Sequence, residues 1–268
     1  MIDKTAVVDS SAQIAEDAFI GPSVVIGKDV KIGSGVKILG HAYLECCEIG
    51  EGTLISSFAT IGTAPQDLGY KNEPTKVIVG KNCTIKENVT IHRAANAGDL
   101  TTRVGNKCLL MVGSHVAHNC VLEDEVILAN LATLGGHVHV GKGAFIGGMS
   151  VFHQNVRIGE MSIVSGFSAS RQDILPYSKC DGRPAVPVGT NVIALRRRGV
   201  EQQQRTEINR AFKLLTSPDY NTTQGIEEIR KTISEGSNKY VDTMIKFIQE
   251  SKRGVVLNRI VKSAKNCV

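Results

Sequence analysis

Seven histidines carry the most reactive chemistry in this sequence: His41, His92, His115, His118, His137, His139 and His153. An imidazole titrates near neutral pH, so a group of them points to general acid–base chemistry. Metal binding fits less well, because no close carboxylate completes a ligand set and the spacing is not that of a metal site. Covalent catalysis lacks its parts: there is no Gly-x-Ser-x-Gly turn, and Cys120, the cysteine beside His118, falls on an inward position. What remains is direct transfer, a histidine activating an acceptor hydroxyl. A transferred acyl group also needs a donor for its oxyanion. Gly136 is the candidate, since a glycine lets the backbone N–H approach a ligand closely.

These side chains act together only if the fold gathers them, and the aliphatic pattern says how. Val8, Ile14, Ile20, Ile26, Ile32, Ile38 and Leu44 recur every sixth residue, and a longer run in strict register extends from Val104 through Val116, Leu128, Val140 and Phe152 to Val164. Ile49, Ile55 and Ile61, then Val79, Ile85 and Ile91, keep the period in a shifted phase. Two residues before each aliphatic of the long run stands a small residue, such as Ser114, Cys120, Ala132 or Ser162. A period of six is neither helical nor a plain alternating strand. It predicts an all-β left-handed parallel β-helix of hexapeptide repeats, with three six-residue sides to a coil and coils stacked at the inter-strand spacing. An 18-residue coil puts His118, His137 and His153 within one residue of a single column, with His115 beside them. No histidine falls on an inward position.

The repeat is interrupted near 62–76 and 93–103, which are expected to leave the prism as external loops, and such loops often carry function. It fades after about 170. From there the pattern turns helical: 200–216 with Ile208, Ala211, Phe212 and Leu215 on one face, 224–235 with Ile226, Ile229 and Ile233, and 238–250 with Val241, Met244, Ile245 and Ile248. The expected domains are a β-helix over 1–187 and a basic α-helical domain over 188–268.

Composition agrees with that division. The chain has 268 residues, 27 of them Gly and none Trp, and aromatics are 4%, so the core is aliphatic. The net charge of +5 splits into −2 for residues 1–189 and +7 for 190–268. A basic segment without interleaved aromatics suits an acidic protein partner better than nucleic acid. Seven scattered cysteines suit reduced thiols in small core positions. No apolar run is long enough to span a membrane and no signal peptide opens the chain, so the expectation is a cytoplasmic protein without membrane insertion.

The motifs resemble the UDP-N-acetylglucosamine acyltransferases that open lipid A biosynthesis. The resemblance rests on Gln66, Asp67 and Leu68 with Tyr70, Glu73, Pro74 and Thr75; on Thr90, Ile91, His92 and Arg93; on His115–His118; on Gly136–Val138; on Ile146–Met149; on His153 and Gln154; and on Asn191 with Leu195–Gly199. It implies a homotrimer with sites between prisms, moving a 3-hydroxyacyl group from acyl carrier protein to the 3-hydroxyl of UDP-N-acetylglucosamine without a cofactor. It makes His118 the general base and Gly136 the oxyanion donor. Asp67, His115 and His137 would contact the sugar or its acyl group, with Gln66 and His92 in the same substrate-binding set. His153 and Gln154 would contact the nucleotide portion, while Asn191 and Arg198 reach in from the helical region. Arg196, Arg197 and Arg198 would meet the acidic carrier protein. Gly166 stands where the family sets acyl length. Three positions depart from the family pattern: Asn119 replaces an Asp, Gly69 a Lys and Ile193 a Glu. Two further readings stand beside this one, a coenzyme A- or carrier-dependent acyltransferase acting on another nucleotide sugar, and an inactive trimeric paralogue.

Overall fold

The hexads turn the chain through three flat sides per coil, and each side hydrogen-bonds to the same side of the next coil. In the computed structural model, which describes residues 1–96 and 98–257, this builds three sheets of nine, eight and ten strands. Nearly all pairings are parallel, and in uninterrupted coils partners lie 18 residues apart, as with His115↔Thr133 and Val121↔His139. The chain visits the sheets in fixed order. The first sheet begins at Val7–Val8, the second at Gln13–Ile14 and the third at Phe19–Ile20. Three corners therefore run along the prism: first-to-second, second-to-third and third-to-first.

The aliphatic of each hexad points inward and is sealed from water, as are Ile20, Ile38, Ile55, Ile85, Leu110, Leu128 and Ile146. Cys83, Cys108 and Cys120 occupy small inward positions as free thiols. Many corners are turned by residues in the left-handed region, including Asn119, His137, Met149 and Phe167.

Both interruptions leave from the first-to-second corner. One segment runs between Thr60–Thr63 and Lys76–Val79, the other between Thr90–His92 and Thr101–Val104. The departure at Gly62 needs a glycine: its φ is +86°, and a Cβ there would lie 1.7 Å from the Glu45 carbonyl oxygen.

At the far end, Ser178–Asp181 joins the third sheet and Val186–Thr190 closes it as an antiparallel edge. Among the described residues four helices follow: α1 Val192–Arg197, α2 Gln202–Thr216, α3 Thr222–Arg230 and α4 Lys239–Gln249. The sequence pattern placed the third helix at 224–235. It starts earlier because Asn221 and Gln224 form a capping box, and it stops at Arg230. The helices share a second core, in which Ile208, Phe212, Leu215 and Met244 pack with Leu175 and Tyr177 of the last coil. After α4 the chain returns to the prism, where Ser251 Oγ donates to the buried carboxylate of Asp173 at 2.7 Å and Val255 pairs with Asp173. None of the described helices is long and apolar enough to cross a membrane.

Candidate active site

The first-to-second corner gathers most of the residues singled out above. His118 lies at the turn after the strand His115–Val116, with its side chain 12% exposed. Its Nδ1 is 2.9 Å from Asn119 Oδ1, and the same oxygen accepts from the Ala95 backbone N–H at 2.9 Å. An amide N–H can only donate, so the Asn119 atom it meets is an acceptor, and the proton between His118 and Asn119 sits on Nδ1. Nε2 is left with its lone pair. That nitrogen faces Asp67 Oδ2 at 3.9 Å. Asp67 Oδ1 is occupied by the Gly69 N–H at 2.8 Å, so one carboxylate oxygen shapes the loop and the other addresses the imidazole.

Gly136, one coil on, stands directly over His118, since a Cβ there would come within 2.4 Å of Nε2. Its N–H donates to no acceptor among the described residues. His137 packs edge-on against His118 with ring centroids 5.2 Å apart, and its N–H donates to the His118 carbonyl. Burial and the neighbouring His118 push the His137 imidazole down from its ordinary range.

His115 and His92 form a second edge-on pair at 5.0 Å, and His115 Nδ1 lies 2.7 Å from Thr90 Oγ1. His92 is outside the prism wall yet buried, and its Nδ1 has no hydrogen-bond partner. Burial first, then neighbouring imidazoles, lowers both, His115 to about 4. Both rings are therefore neutral at pH 7 and offer the site hydrogen bonds, not charge. The sign follows by linkage. Between about 6.5 and about 4 the unfolded chain binds a proton at His115 that the folded chain refuses, so stability falls as the pH falls through that window. His115→Gln should flatten the loss of stability between pH 7 and pH 4.5, by at most about 3 kcal/mol, as followed by thermal melts across that range.

The remaining candidates are dispersed. Gln66 is exposed on the loop beside Asp67. His153 and Gln154 are exposed at the same corner one coil beyond His137, where Arg253 Nη2 donates to His153 Nδ1 at 2.9 Å. Gly166 lies at the third-to-first corner, where an added Cβ would first meet the Gly148 carbonyl oxygen, at 3.2 Å. Arg198 lies at the second-to-third corner, paired with Glu125, and Arg197 is exposed at the end of α1. Asn191 caps α1. Its Oδ1 accepts from Ala194 N, its Nδ2 donates to the Met161 carbonyl at 2.7 Å, and it is 2% exposed. Arg93, which in the sequence is one member of a motif and no more, ties the Asp67 loop to the prism; its side-chain partners lie 23 to 48 residues away, beyond the reach of any local pattern.

Coils of three six-residue sides, with a histidine base candidate beneath an open backbone N–H, define an acyltransferase of the hexapeptide-repeat, left-handed β-helix class. The profile described as UDP-N-acetylglucosamine O-acyltransferase, domain 2, matches residues 173–256, and that of the GMPPB C-terminal domain matches 2–66. The chain is 40% identical over 213 residues to the acyl-(acyl-carrier-protein)–UDP-N-acetylglucosamine O-acyltransferase of Campylobacter concisus, covering 78% of this chain and 79% of that one. The crystal structure of UDP-N-acetylglucosamine O-acyltransferase from Moraxella catarrhalis superposes with a TM-score of 0.90 at 35% identity, over 95% of this chain and 99% of that one. The corresponding UDP-N-acetylglucosamine acyltransferase from Bacteroides fragilis gives 0.91 at 33%, over 96% and 100%. The chain belongs to the UDP-N-acetylglucosamine O-acyltransferase family.

Proposed function

We propose that this enzyme transfers a 3-hydroxyacyl group from acyl carrier protein to the 3-hydroxyl of UDP-N-acetylglucosamine, the first step of lipid A biosynthesis, by direct attack. The observation that carries the mechanism is the His118 tautomer. With Nδ1–H held by Asn119 Oδ1, Nε2 is the free base. Nε2 takes the proton of the sugar hydroxyl as its oxygen bonds to the thioester carbonyl carbon. The carbonyl oxygen gathers negative charge and accepts from Gly136 N–H. Collapse of the intermediate breaks the carbon–sulfur bond, and the departing carrier thiolate recovers the proton from His118. Asp67, His115 and His137 line the corner where sugar and acyl group meet, and His153 and Gln154 extend it toward the nucleotide.

The acyl groove needs a second copy. Within one chain Gly166 and the His118 corner lie at opposite edges of the first sheet. The Gly166 corner is an exposed apolar ridge of Leu39, Phe58, Val112, Leu131, Met149 and Phe167, as expected of a surface that meets another chain. Three-fold packing of that ridge against a neighbour's histidine corner closes a groove, with Gly166 leaving room for a long acyl chain. Arg196 and Arg197, exposed on the +7 segment, face an acidic carrier protein. Both substrates are water-soluble, which fits a cytoplasmic enzyme.

Mass spectrometry of the products from UDP-N-acetylglucosamine and a mixture of 3-hydroxyacyl carrier proteins tests this reading. A single acylated UDP-sugar is expected, and its mass reports the chain length. Product only from coenzyme A donors, or none at all, would overturn it. Asn119 adds a second test. Its neutral oxygen orients the imidazole but does not stabilise the imidazolium by charge. In Asn119→Asp the acidic limb of the pH–rate profile should move upward by about one pH unit.

A further inference from the structure

The Asp67 carboxylate reaches His118 from an external loop, and a loop of that length needs something to hold it at one distance. The contacts converge on Arg93, which follows the strand Thr90–His92 one coil above the loop's departure. Arg93 Nε donates to Tyr70 Oη at 3.0 Å, and the guanidinium carbon lies 5.5 Å from the centre of the Tyr70 ring. Nη1 donates to Glu45 Oε1 and to the Gly62 carbonyl, each at 2.8 Å. The Arg93 backbone N–H donates to the Thr63 carbonyl at 3.0 Å. Its side chain is 14% exposed and that of Glu45 26%, so the pair is sheltered from water. One planar group thus grips the prism at Glu45, the start of the loop at Gly62 and its far limb at Tyr70, a task suited to a guanidinium and beyond the compact ammonium of a lysine. From Tyr70 the restraint passes to the acid, because the Tyr70 N–H donates to the Asp67 carbonyl at 3.1 Å and Tyr70 Oη donates to the Glu73 carbonyl at 3.0 Å.

We infer that Arg93 is a positioning residue for the transfer reaction: through Tyr70 it holds the 62–76 loop so that the Asp67 carboxylate stands beside His118. This rests on the function proposed above, in which Asp67 works at the reacting corner. Arg93 itself touches no reacting atom. Its loss should therefore cost activity only through Asp67.

The test is a double-variant cycle with Arg93→Met and Asp67→Ala, each assayed for kcat and KM with 3-hydroxyacyl carrier protein and UDP-N-acetylglucosamine. Arg93→Met should lower kcat/KM by about 10- to 100-fold. The double variant should be no worse than Asp67→Ala alone, whereas a merely structural residue would add its loss on top. Tyr70→Phe, which removes only the hydroxyl, should fall between wild type and Arg93→Met, and it keeps the inference testable should Arg93→Met fold poorly. Hydrogen–deuterium exchange of the wild type and variants gives a readout without turnover. Peptides within 64–73 should exchange at least about 10-fold faster in Arg93→Met, with those of coils 109–164 unchanged. Additive losses in the cycle, or unaltered loop exchange, would overturn the inference. If the wild type makes no product from these substrates, the functional reading fails, and loop exchange still decides whether Arg93 holds the loop.

Discussion

His118→Ala should lower kcat/KM by about 10³- to 10⁴-fold while leaving the melting temperature within about 2 °C of wild type. Such a loss corresponds to roughly 4–5.5 kcal/mol of transition-state stabilisation, within reach of a single base whose lone pair is already oriented. The fold should tolerate the change because the imidazole sits on a corner outside the aliphatic core, and Asn119 Oδ1 keeps its bond from Ala95 N–H when the ring is gone. The loss should appear chiefly in kcat, since proton removal belongs to the transition state. Steady-state kinetics alongside a thermal melt decide it. A decrease below tenfold would mean that another group takes the proton.

The second large effect needs only one methyl group. In Gly136→Ala the new Cβ would stand 2.4 Å from His118 Nε2 and 2.5 Å from Cε1. The ring cannot simply swing aside, because Nδ1 is held by Asn119 and the His137 ring packs edge-on with it at 5.2 Å between centroids. The substitution displaces the base and shields the N–H proposed for the oxyanion together, so kcat/KM should fall by about 10²- to 10³-fold. Gly189→Ala is the matched control. Nothing lies within 4 Å of its added Cβ, and its activity should equal that of the wild type. Equal activity in Gly136→Ala would remove both His118 and Gly136 from the geometry proposed here.

The β-helix was legible because every coil repeats one local requirement, an aliphatic at each sixth residue. Even the encounter of His118 with His137 follows from an 18-residue coil. The contact between His92 and His115 did not follow from that count, because the 93–103 insertion lengthens the coil and puts Thr90 opposite His115, 25 residues on. Polar ties were hidden for a related reason. Arg93 to Glu45 spans 48 residues, and Ser251 to Asp173 spans 78, distances over which no periodicity survives. The full role of Asn191 at the start of α1 was hidden in the same way, because the Met161 carbonyl that its amide reaches lies 30 residues away. Helix faces were readable from apolar spacing, but the onset of α3 was decided by a cap, which spacing does not register.

The closing antiparallel strand Val186–Thr190, together with the return of residues 251–256 onto Asp173, has a bearing on solubility. A stack of parallel coils resembles a short length of fibril: its terminal coil offers unpaired backbone groups, a template onto which another chain's strand could add. Here that rim is covered by a strand of reversed direction and by a segment fastened to a buried carboxylate. Loosening that contact is therefore expected to uncover an edge for end-to-end association.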